Sequence, residues 1–143
     1  MFGYLYIAEE LVRDDCLRKV PTNFCKIGIT TQHSPSERLR KLQVGNPRQI
    51  HMPYMWVGTM DRVTLIEQYV KDRYVNSRRL EWIYASSTTV KDYVDTLVEQ
   101  IDDVFMIPNR LLPYTASSYG HCSFNNKDST GIFFEAKELA EKI

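Results

Sequence analysis

Cysteine is scarce in this chain and poorly spaced for a structural role. The 143 residues include three cysteines, Cys16, Cys25 and Cys122, and no two of them have the CxxC spacing. An odd number without that spacing predicts neither a disulfide framework nor a zinc ribbon. His121 precedes Cys122, but two adjacent ligands are a poor metal site by themselves.

Long hydrophobic runs are also missing. No apolar segment approaches the roughly 18 residues that a membrane-spanning helix needs, and charged residues from Glu9 onward interrupt any signal-peptide core. We therefore expect a cytoplasmic protein without a membrane partner. With 43% apolar residues, the chain is long enough for one domain with a modest core that folds alone.

The chain has no net charge, which argues against binding nucleic acid by bulk attraction. The charges are nevertheless unevenly distributed. Residues 13–48 contain eight basic and three acidic side chains, whereas residues 91–143 contain five basic and nine acidic ones. A basic front and an acidic back suit a protein that meets phosphates on one face, although segregated charge is also common elsewhere.

Two short segments near the N-terminus show the alternation of β-strands. In the first, residues 4–7, Tyr4 and Tyr6 share one face and two aliphatic residues share the other. The second, residues 25–30, also has one face without aliphatic side chains, formed by Lys26, Gly28 and Thr30. If the segments pair antiparallel with their apolar faces together, a phosphodiester has room beside the tyrosines, the lysine and the glycine. An ordinary tyrosine-rich hairpin is the alternative.

The remaining pattern predicts a mixed α+β fold. Strands are expected at 2–8, 23–30, 50–58 and 80–85, helices at 35–45, 61–75 and 89–105, and an irregular segment at 9–22. A change in composition after residue 105 predicts a domain at 1–105 and a C-terminal extension at 106–143. We expect the extension to be irregular apart from a short helix at 134–142.

Helix boundaries follow from capping residues. Ser34 as N-cap, Pro35 at the first helical position and Glu37 in a capping box predict the start of the first helix, and Gly45 or Asn46 its end.

In the later helices, Asp61 and Thr89 are the expected caps. The buried stripe of the second helix is predicted to consist of Leu65, Ile66, Tyr69 and Val70. Glu67 then lies off this stripe and can face a neighbouring cleft. The third helix is expected to bury a wide stripe that includes Val90 and Val94.

Three motifs occur in order: Gly3-Tyr4-Leu5-Tyr6, Lys26-Ile27-Gly28-Ile29-Thr30 and Pro35-Ser36-Glu37-Arg38-Leu39. Together they resemble the phage-associated GIY-YIG-like branch of the GIY-YIG nuclease superfamily, over about residues 2–94. The resemblance implies a small antiparallel three-stranded sheet flanked by helices. It also implies a DNA endonuclease that hydrolyses phosphodiester bonds with Mg²⁺ or Mn²⁺. Such an enzyme would be encoded by a phage or a mobile element, and it would lie in the host cell cytoplasm if a phage encodes it.

The resemblance assigns roles to four residues. Tyr6 matches the GIY tyrosine, Lys26 the YIG tyrosine, Arg38 the catalytic arginine and Glu67 the metal-binding glutamate. Tyr6 would be the general base if Lys26 lies beside its oxygen and lowers its pKa, and Arg38 would hold a phosphate oxygen. Glu67 would anchor one Mg²⁺.

Further residues are candidates for DNA contact or compete for these roles. The expected DNA-binding residues are Tyr4, Arg40, Lys41 and Arg48. Arg40 and Lys41 are also rivals of Arg38 for the phosphate, and Glu81 is the rival carboxylate to Glu67. The pair Arg78–Arg79 is either a backbone-contacting patch or a solvated turn.

Some positions depart from the family pattern. Tyr4 replaces the GIY glycine, Leu42 stands where relatives have histidine or tyrosine, and the expected asparagine has only Asn76 nearby. Two alternatives therefore stay open besides the nuclease: an inactive nucleic-acid-binding module, and a protein-binding regulator that uses an aromatic surface. That surface would comprise Tyr54, Trp56 and Tyr84. A homodimer is also open.

Overall fold

The computed structural model describes residues 1–31, 35–108, 114–115 and 129–141. Within these ranges the strands are β1 (Phe2–Arg13), β2 (Lys19–Thr30), β3 (Gln49–Thr59), β4 (Arg78–Arg79), β5 (Trp82–Ile83), β6 (Val104–Met106) and β7 (Tyr114–Thr115). The helices are α1 (Pro35–Gln43), α2 (Met60–Arg73), α3 (Ser87–Gln100) and α4 (Ser129–Glu141), and a short 3-10 helix spans Val75–Ser77. The mixed α+β class is confirmed.

The strands form one sheet in which the described pairs are antiparallel, in the order β4-β5-β2-β1-β3-β6. The seventh strand, β7, pairs with the other end of β3. The expected three-stranded sheet is therefore only the centre, β2-β1-β3, of a larger sheet. Of the segment predicted as one strand at 80–85, only Trp82–Ile83 is a strand, and this β5 forms a hairpin with β4.

The β1–β2 hairpin is much longer than the sequence indicated. Residues 9–22 were expected to be irregular, but pairing continues to Arg13 opposite Lys19. The connecting turn is held by Asp14, whose Oδ1 accepts the backbone N–H groups of Cys16 and Arg18, both at 2.9 Å. This outer part of the hairpin is mostly exposed. It therefore needs no apolar alternation, and its strand structure left no hydrophobic signal.

Strand β3 contains a bulge at a proline. Ile7 pairs with Tyr54 and Glu9 with His51, so that two residues of β3, one of them Pro53, lie opposite one residue of β1. Proline has no backbone N–H to donate, and a bulge is where a sheet tolerates it. The bulge shifts the alternation of β3, and its residues at 50, 52, 55 and 57 all face one core.

Helices cover both faces of the sheet and produce two cores. Helices α2 and α3 pack on the face that includes Leu5, Ile7, Ile27, Trp56, Val63, Ile66, Val70, Val90 and Val94. Helices α1 and α4 pack on the face that includes Tyr4, Tyr6, Leu39, Met52, Met55, Ile132, Phe133 and Ala136. The tyrosine face is therefore covered rather than open, and any polar site on it must lie beside α1.

Several expected helix features are corrected. Ser86, not Thr89, caps α3, because its Oγ accepts the backbone N–H of Thr89 at 3.2 Å. Helix α2 begins after Thr59, which leaves Asp61 in its first turn. The predicted cap Ser34 and the pair at 121–122 lie outside the described residues.

The buried stripe of α2 is formed by Val63, Ile66 and Val70, while Leu65 and Tyr69 are 46% and 48% exposed. The prediction for Leu65 and Tyr69 was wrong because the helix carries two overlapping apolar stripes, and the sheet packs against the one with β-branched residues.

The C-terminal part adds to the sheet and its cover. The helix predicted at 89–105 ends at Gln100, and β6 follows on the edge of β3. Helix α4 begins earlier than predicted and places Phe133 against Phe2 with ring centroids 4.3 Å apart. A domain boundary after residue 105 stays a prediction. No helix in the described ranges has the length and apolar character to cross a membrane.

Candidate active site

Tyr6 and Arg38 meet at the centre of the tyrosine face. Tyr6 lies on β1, and Arg38 lies half-buried on α1, 32 positions later in the chain. Arg38 Nε donates a hydrogen bond to the Tyr6 hydroxyl oxygen at 3.1 Å. The sequence resemblance assigned catalytic roles to these two residues, and the fold brings them into direct contact.

Gly28 makes room for this contact. It is the residue of β2 that pairs with Tyr6, and a Cβ at this position would collide with the Tyr6 hydroxyl. Any other residue would have to displace the tyrosine ring. The glycine thus fixes where the hydroxyl lies, as the predicted juxtaposition of the two strands requires.

Lys26 lies on the same face of β2, because it pairs with Ala8 and Gly28 pairs with Tyr6. Its Nζ forms an ion pair with Glu81 at 2.5 Å. This pair holds the pKa of the exposed Glu81 carboxyl below its usual range, chiefly through the hydrogen bond from Lys26. Lys26 was expected beside the Tyr6 oxygen; the cation bonded to that oxygen is instead Arg38.

Glu67 approaches the same region from α2. Its side chain is 16% exposed, and its Oε1 lies 3.5 Å from Lys71 Nζ, one helical turn away. Glu67 and Glu81 are both close enough to influence the Tyr6 hydroxyl electrostatically. We refer to Tyr6, Lys26, Arg38, Glu67 and Glu81 as the Tyr6 cluster.

The electrostatics of the cluster favour a protonated Tyr6. Burial raises the pKa of Tyr6 above its ordinary value of 10.0, and the negative charges of Glu81 and Glu67 add to the rise. The hydrogen bond and positive charge of Arg38 act in the opposite direction but do not cancel the effect of burial. The expected lowering of this pKa is therefore wrong for the free protein.

The donor set fits only a lightly coordinated metal ion. In the part of the chain that the structure describes, no three His, Cys, Asp or Glu side chains converge as metal ligands do. Mg²⁺ usually keeps several waters and needs one or two carboxylates. The 3.5 Å contact of Glu67 with Lys71 is longer than a good hydrogen bond. Glu67 therefore retains lone pairs for a hydrated cation.

The predicted DNA-binding residues fall into three groups. Tyr4 is fully buried in the core beneath α1 and α4, so it has no surface to offer DNA. Arg40 and Lys41 are exposed on α1, and neither forms an ion pair with the described residues. Arg48 is half-exposed, with its Nη1 3.9 Å from Glu10 Oε1. Of these four residues, only Arg40 and Lys41 are both exposed and without an ion-pair partner among the described residues.

The expected aromatic surface is not continuous. Trp56 is fully buried, so it cannot contribute to an exposed aromatic surface. Tyr84 is 52% exposed and packs edge-on against Phe24, while the Tyr54 ring lies 5.6 Å from Lys91 Nζ. These residues therefore do not form one aromatic patch for a partner protein.

A pocket beside the cluster was not predicted. It has a volume of about 160 Å³ and is bounded by Lys26 and Trp82 on the sheet and by Leu42, Gly45 and Asn46 at the end of α1. Trp82 pairs with Lys26 across β5 and β2, which puts both side chains on the tyrosine face. One sequence signal could have indicated this pocket: strand alternation places Lys26 on the tyrosine face, and its cross-strand partner must share that face.

A profile of the T5orf172 domain matches residues 3–102, from β1 to just beyond α3. The chain belongs to this family. The T5orf172 domain is phage-associated and is found in some nuclease-like proteins. All five residues of the Tyr6 cluster lie within the matched part. Comparisons with curated proteins and with solved structures gave no match.

This T5orf172 domain also contains a second polar cluster, which no sequence motif indicated. Glu9 is 3% exposed; its Oε1 lies 2.8 Å from His51 Nδ1, and its Oε2 accepts a hydrogen bond from Ser87 Oγ at 2.5 Å. A hydrolase triad needs histidine between the serine and the acid. Here the carboxylate is in the middle, which makes a catalytic triad an incorrect interpretation of these three residues.

Proposed function

We propose that this T5orf172 domain is a Mg²⁺- or Mn²⁺-dependent DNA endonuclease with GIY-YIG-type chemistry. The observation that supports it most is the 3.1 Å hydrogen bond between Arg38 and Tyr6. A nuclease needs a proton acceptor and a phosphate ligand side by side, and these two residues supply both. The presence of the domain in nuclease-like proteins agrees with this proposal.

Arg38 is proposed to bind the scissile phosphate. Its Nε is bonded to Tyr6, and the planar guanidinium carries two further nitrogens that can hold non-bridging phosphate oxygens. A fixed guanidinium stabilises the negative charge that builds up as phosphorus is attacked. Because Tyr6 holds it by one edge, Arg38 needs little reorganisation when the phosphate arrives.

Tyr6 is proposed to act as the general base in its phenolate form; because it is buried in the free protein, its hydroxyl must become accessible to water when DNA binds. The oxygen of a water molecule bonds to phosphorus, the bond from phosphorus to the leaving oxygen breaks, and the proton of the water passes to the Tyr6 oxygen. Since burial raises the pKa of Tyr6, only a small fraction is phenolate at neutral pH. The cleavage rate is then expected to rise with pH well above neutrality, and Arg38 is the residue that limits how far the pKa rises.

Glu67 is proposed as the metal ligand. A bound Mg²⁺ would supply a Lewis acid that polarises the phosphate and stabilises the leaving oxygen. Lys26 would contact an adjacent phosphate, which would take the place of Glu81 as its partner. Arg40 and Lys41, both exposed on α1, would contact the DNA backbone.

The test is nicking of supercoiled plasmid, with Mg²⁺ or with EDTA, together with DNA affinity measured in EDTA. We expect nicking by the wild type only with the metal ion. Glu67→Gln should reduce the nicking rate at least 100-fold while changing DNA affinity less than twofold. Glu99→Gln is the matched control, because Glu99 is exposed near the end of α3 and outside the Tyr6 cluster.

Three other outcomes are informative. If the wild type binds DNA but does not nick it with any divalent ion, the chain is an inactive nucleic-acid-binding module, which the raised pKa of Tyr6 would explain. If it neither binds nor nicks DNA, the regulator remains. Equal nicking by the wild type and Glu67→Gln would remove Glu67 from the metal site.

A further inference from the structure

The β4–β5 hairpin has an unusual tip. Its two connecting residues are Leu80 and Glu81, and Leu80 has a backbone φ of 55° and is 86% exposed. A positive φ is unfavourable for a leucine, and tight hairpin turns normally place glycine, asparagine or aspartate there. The tip therefore combines backbone strain with an apolar side chain in water, and nothing in the described contacts offsets either.

The hairpin is firmly anchored below this tip. Ile83 is fully buried, and Tyr84 donates its backbone N–H to the Ser77 carbonyl at 2.7 Å, which closes the base of the hairpin. Glu81, next to Leu80, is tied to Lys26 in the Tyr6 cluster. The leucine thus projects from a rigid element that is joined to the candidate active site.

Basic residues precede the leucine. Arg78 and Arg79 form β4, and neither has an ion-pair partner among the described residues. Arg79 pairs with Trp82, which pairs with Lys26, so Arg79 shares the sheet face of Lys26 and Tyr6. A duplex whose scissile phosphate reached Arg38 would therefore have this arginine and the leucine tip alongside it.

We propose that the β4–β5 hairpin is a DNA wedge, in which Leu80 inserts between stacked base pairs while Arg79 holds the flanking phosphate. Apolar side chains of this kind unstack base steps in many DNA-binding proteins, and the kinked duplex then contacts more of the protein. The inference rests on the proposed nuclease function, because it takes DNA as the partner. It adds that the protein binds a distorted duplex rather than a straight one.

A second turn in the same molecule provides a matched control. Leu17, in the β1–β2 turn, also has a positive φ, 62°, and is 72% exposed. Its neighbour Arg18, however, is paired with Asp14 at 3.1 Å, and Arg13 donates to the Leu17 carbonyl at 2.9 Å. Both arginines of that turn have partners within it, whereas the Leu80 turn leaves Arg78 and Arg79 for a partner.

The experiment compares DNA affinity for a perfect duplex and for the same duplex with one abasic site, measured in EDTA to prevent cleavage. An abasic site removes most of the unstacking cost, so a wedge should prefer it. We expect the wild type to bind the abasic duplex at least fivefold tighter, and Leu80→Gly to lose that preference. Leu17→Gly should keep the preference for the abasic duplex. Leu80→Met, which retains an apolar side chain, should keep most of it.

Two further measurements separate a loss of function from a loss of structure. Leu80→Gly and Leu17→Gly should melt at or above the wild-type temperature, because glycine adopts a positive φ without strain. Arg79→Met should weaken binding to both duplexes and reduce the salt dependence by about one phosphate contact, whereas Arg18→Met should not.

An unchanged preference in Leu80→Gly, or no preference in the wild type, would overturn the wedge while leaving the nuclease proposal intact. Equal loss of preference in Leu17→Gly would also overturn it. If the wild type binds neither duplex, both proposals fail.

Discussion

The central strand β1 carries two polar pairs on opposite faces of the sheet, Tyr6 with Arg38 and Glu9 with His51. In the second pair, both oxygens of a buried carboxylate have partners, one of them the serine at the start of α3. In the first, the buried hydroxyl is surrounded by charged groups of both signs, of which Lys26, Glu81 and Arg38 reach the surface. The Glu9–His51 pair, whose carboxylate has partners on both oxygens, is suited to stabilising the fold. The Tyr6–Arg38 pair, which has accessible charges beside it, is suited to binding a charged ligand.

The largest effect is expected from a substitution in the Glu9–His51 pair, and it is an effect on stability. Glu9→Ala should lower the free energy of unfolding by roughly 3 kcal/mol, because it removes buried packing and leaves the Ser87 hydroxyl without its acceptor. Urea unfolding would measure this. Nicking at a temperature where the variant is still folded should stay within threefold of the wild type; a loss of nicking in the folded variant would mean that the two pairs are not separate.

The complementary change is Tyr6→Phe, which removes only the hydroxyl. Loss of a general base should slow nicking about 100-fold or more, equivalent to about 2.7 kcal/mol on the barrier. Single-turnover nicking rates would measure this, with Tyr69→Phe on the exposed face of α2 as the control. Unimpaired nicking by Tyr6→Phe would rule out the tyrosine as the base.

A smaller effect is expected from Arg38→Lys, which keeps the charge but loses the planar guanidinium. The hydrogen bond to Tyr6 and the paired bonds to phosphate should both suffer, and nicking should slow at least tenfold, or about 1.4 kcal/mol. Arg40→Lys should change the rate less than threefold. The opposite ranking would show that Arg40 is the phosphate ligand.

The smallest effect concerns Cys25, which lies on β2 and pairs with Glu9 of β1. Burial raises the pKa of the Cys25 thiol to about 12 from an ordinary value of 9.0, and the nearby Glu9 carboxylate contributes. The folded state therefore holds a proton that the unfolded state releases above pH 9, so stability falls as pH rises. We expect a loss of about 1 kcal/mol between pH 9 and pH 10 from this group.

Urea unfolding at the two pH values would check it. Cys25→Ala should flatten the decline, and Cys16→Ala, at an exposed position, should not. An equal decline in Cys25→Ala and the wild type would mean that the thiol is not what makes the protein sensitive to alkali.

The local pattern of the sequence was sufficient for the central strands, the helix with Arg38 and the helix with Val90 and Val94. These elements bury one face and expose the other, and that contrast is what periodicity records. The outer part of the β1–β2 hairpin was missed, because cross-strand pairing and Asp14 hold it rather than a hydrophobic face. The β4–β5 hairpin was not predicted, because each of its strands has only two residues.

In the candidate site, the family resemblance assigned roles to Tyr6 and Arg38, but neither their hydrogen bond nor its effect on the pKa of Tyr6 was predicted. The partner of Lys26 depends on the β4–β5 hairpin, which folds back onto β2 and delivers Glu81. Burial of Tyr4 and Tyr6 depends on α1 and α4, the second of which lies far along the chain. Such contacts between distant segments leave no local signal, and they decide which residues have access to solvent.

The packing of α4 on β1 has a consequence for the order of events during synthesis. Phe133 stacks on Phe2, so the first strand of the sheet completes its cover only after about 130 further residues have been translated. At ribosomal rates of about 5–20 residues per second, the two are separated by roughly 7–26 s. Until then only α1 is available to cover the Phe2 and Tyr4 side of the sheet, and Phe2 lacks its stacking partner.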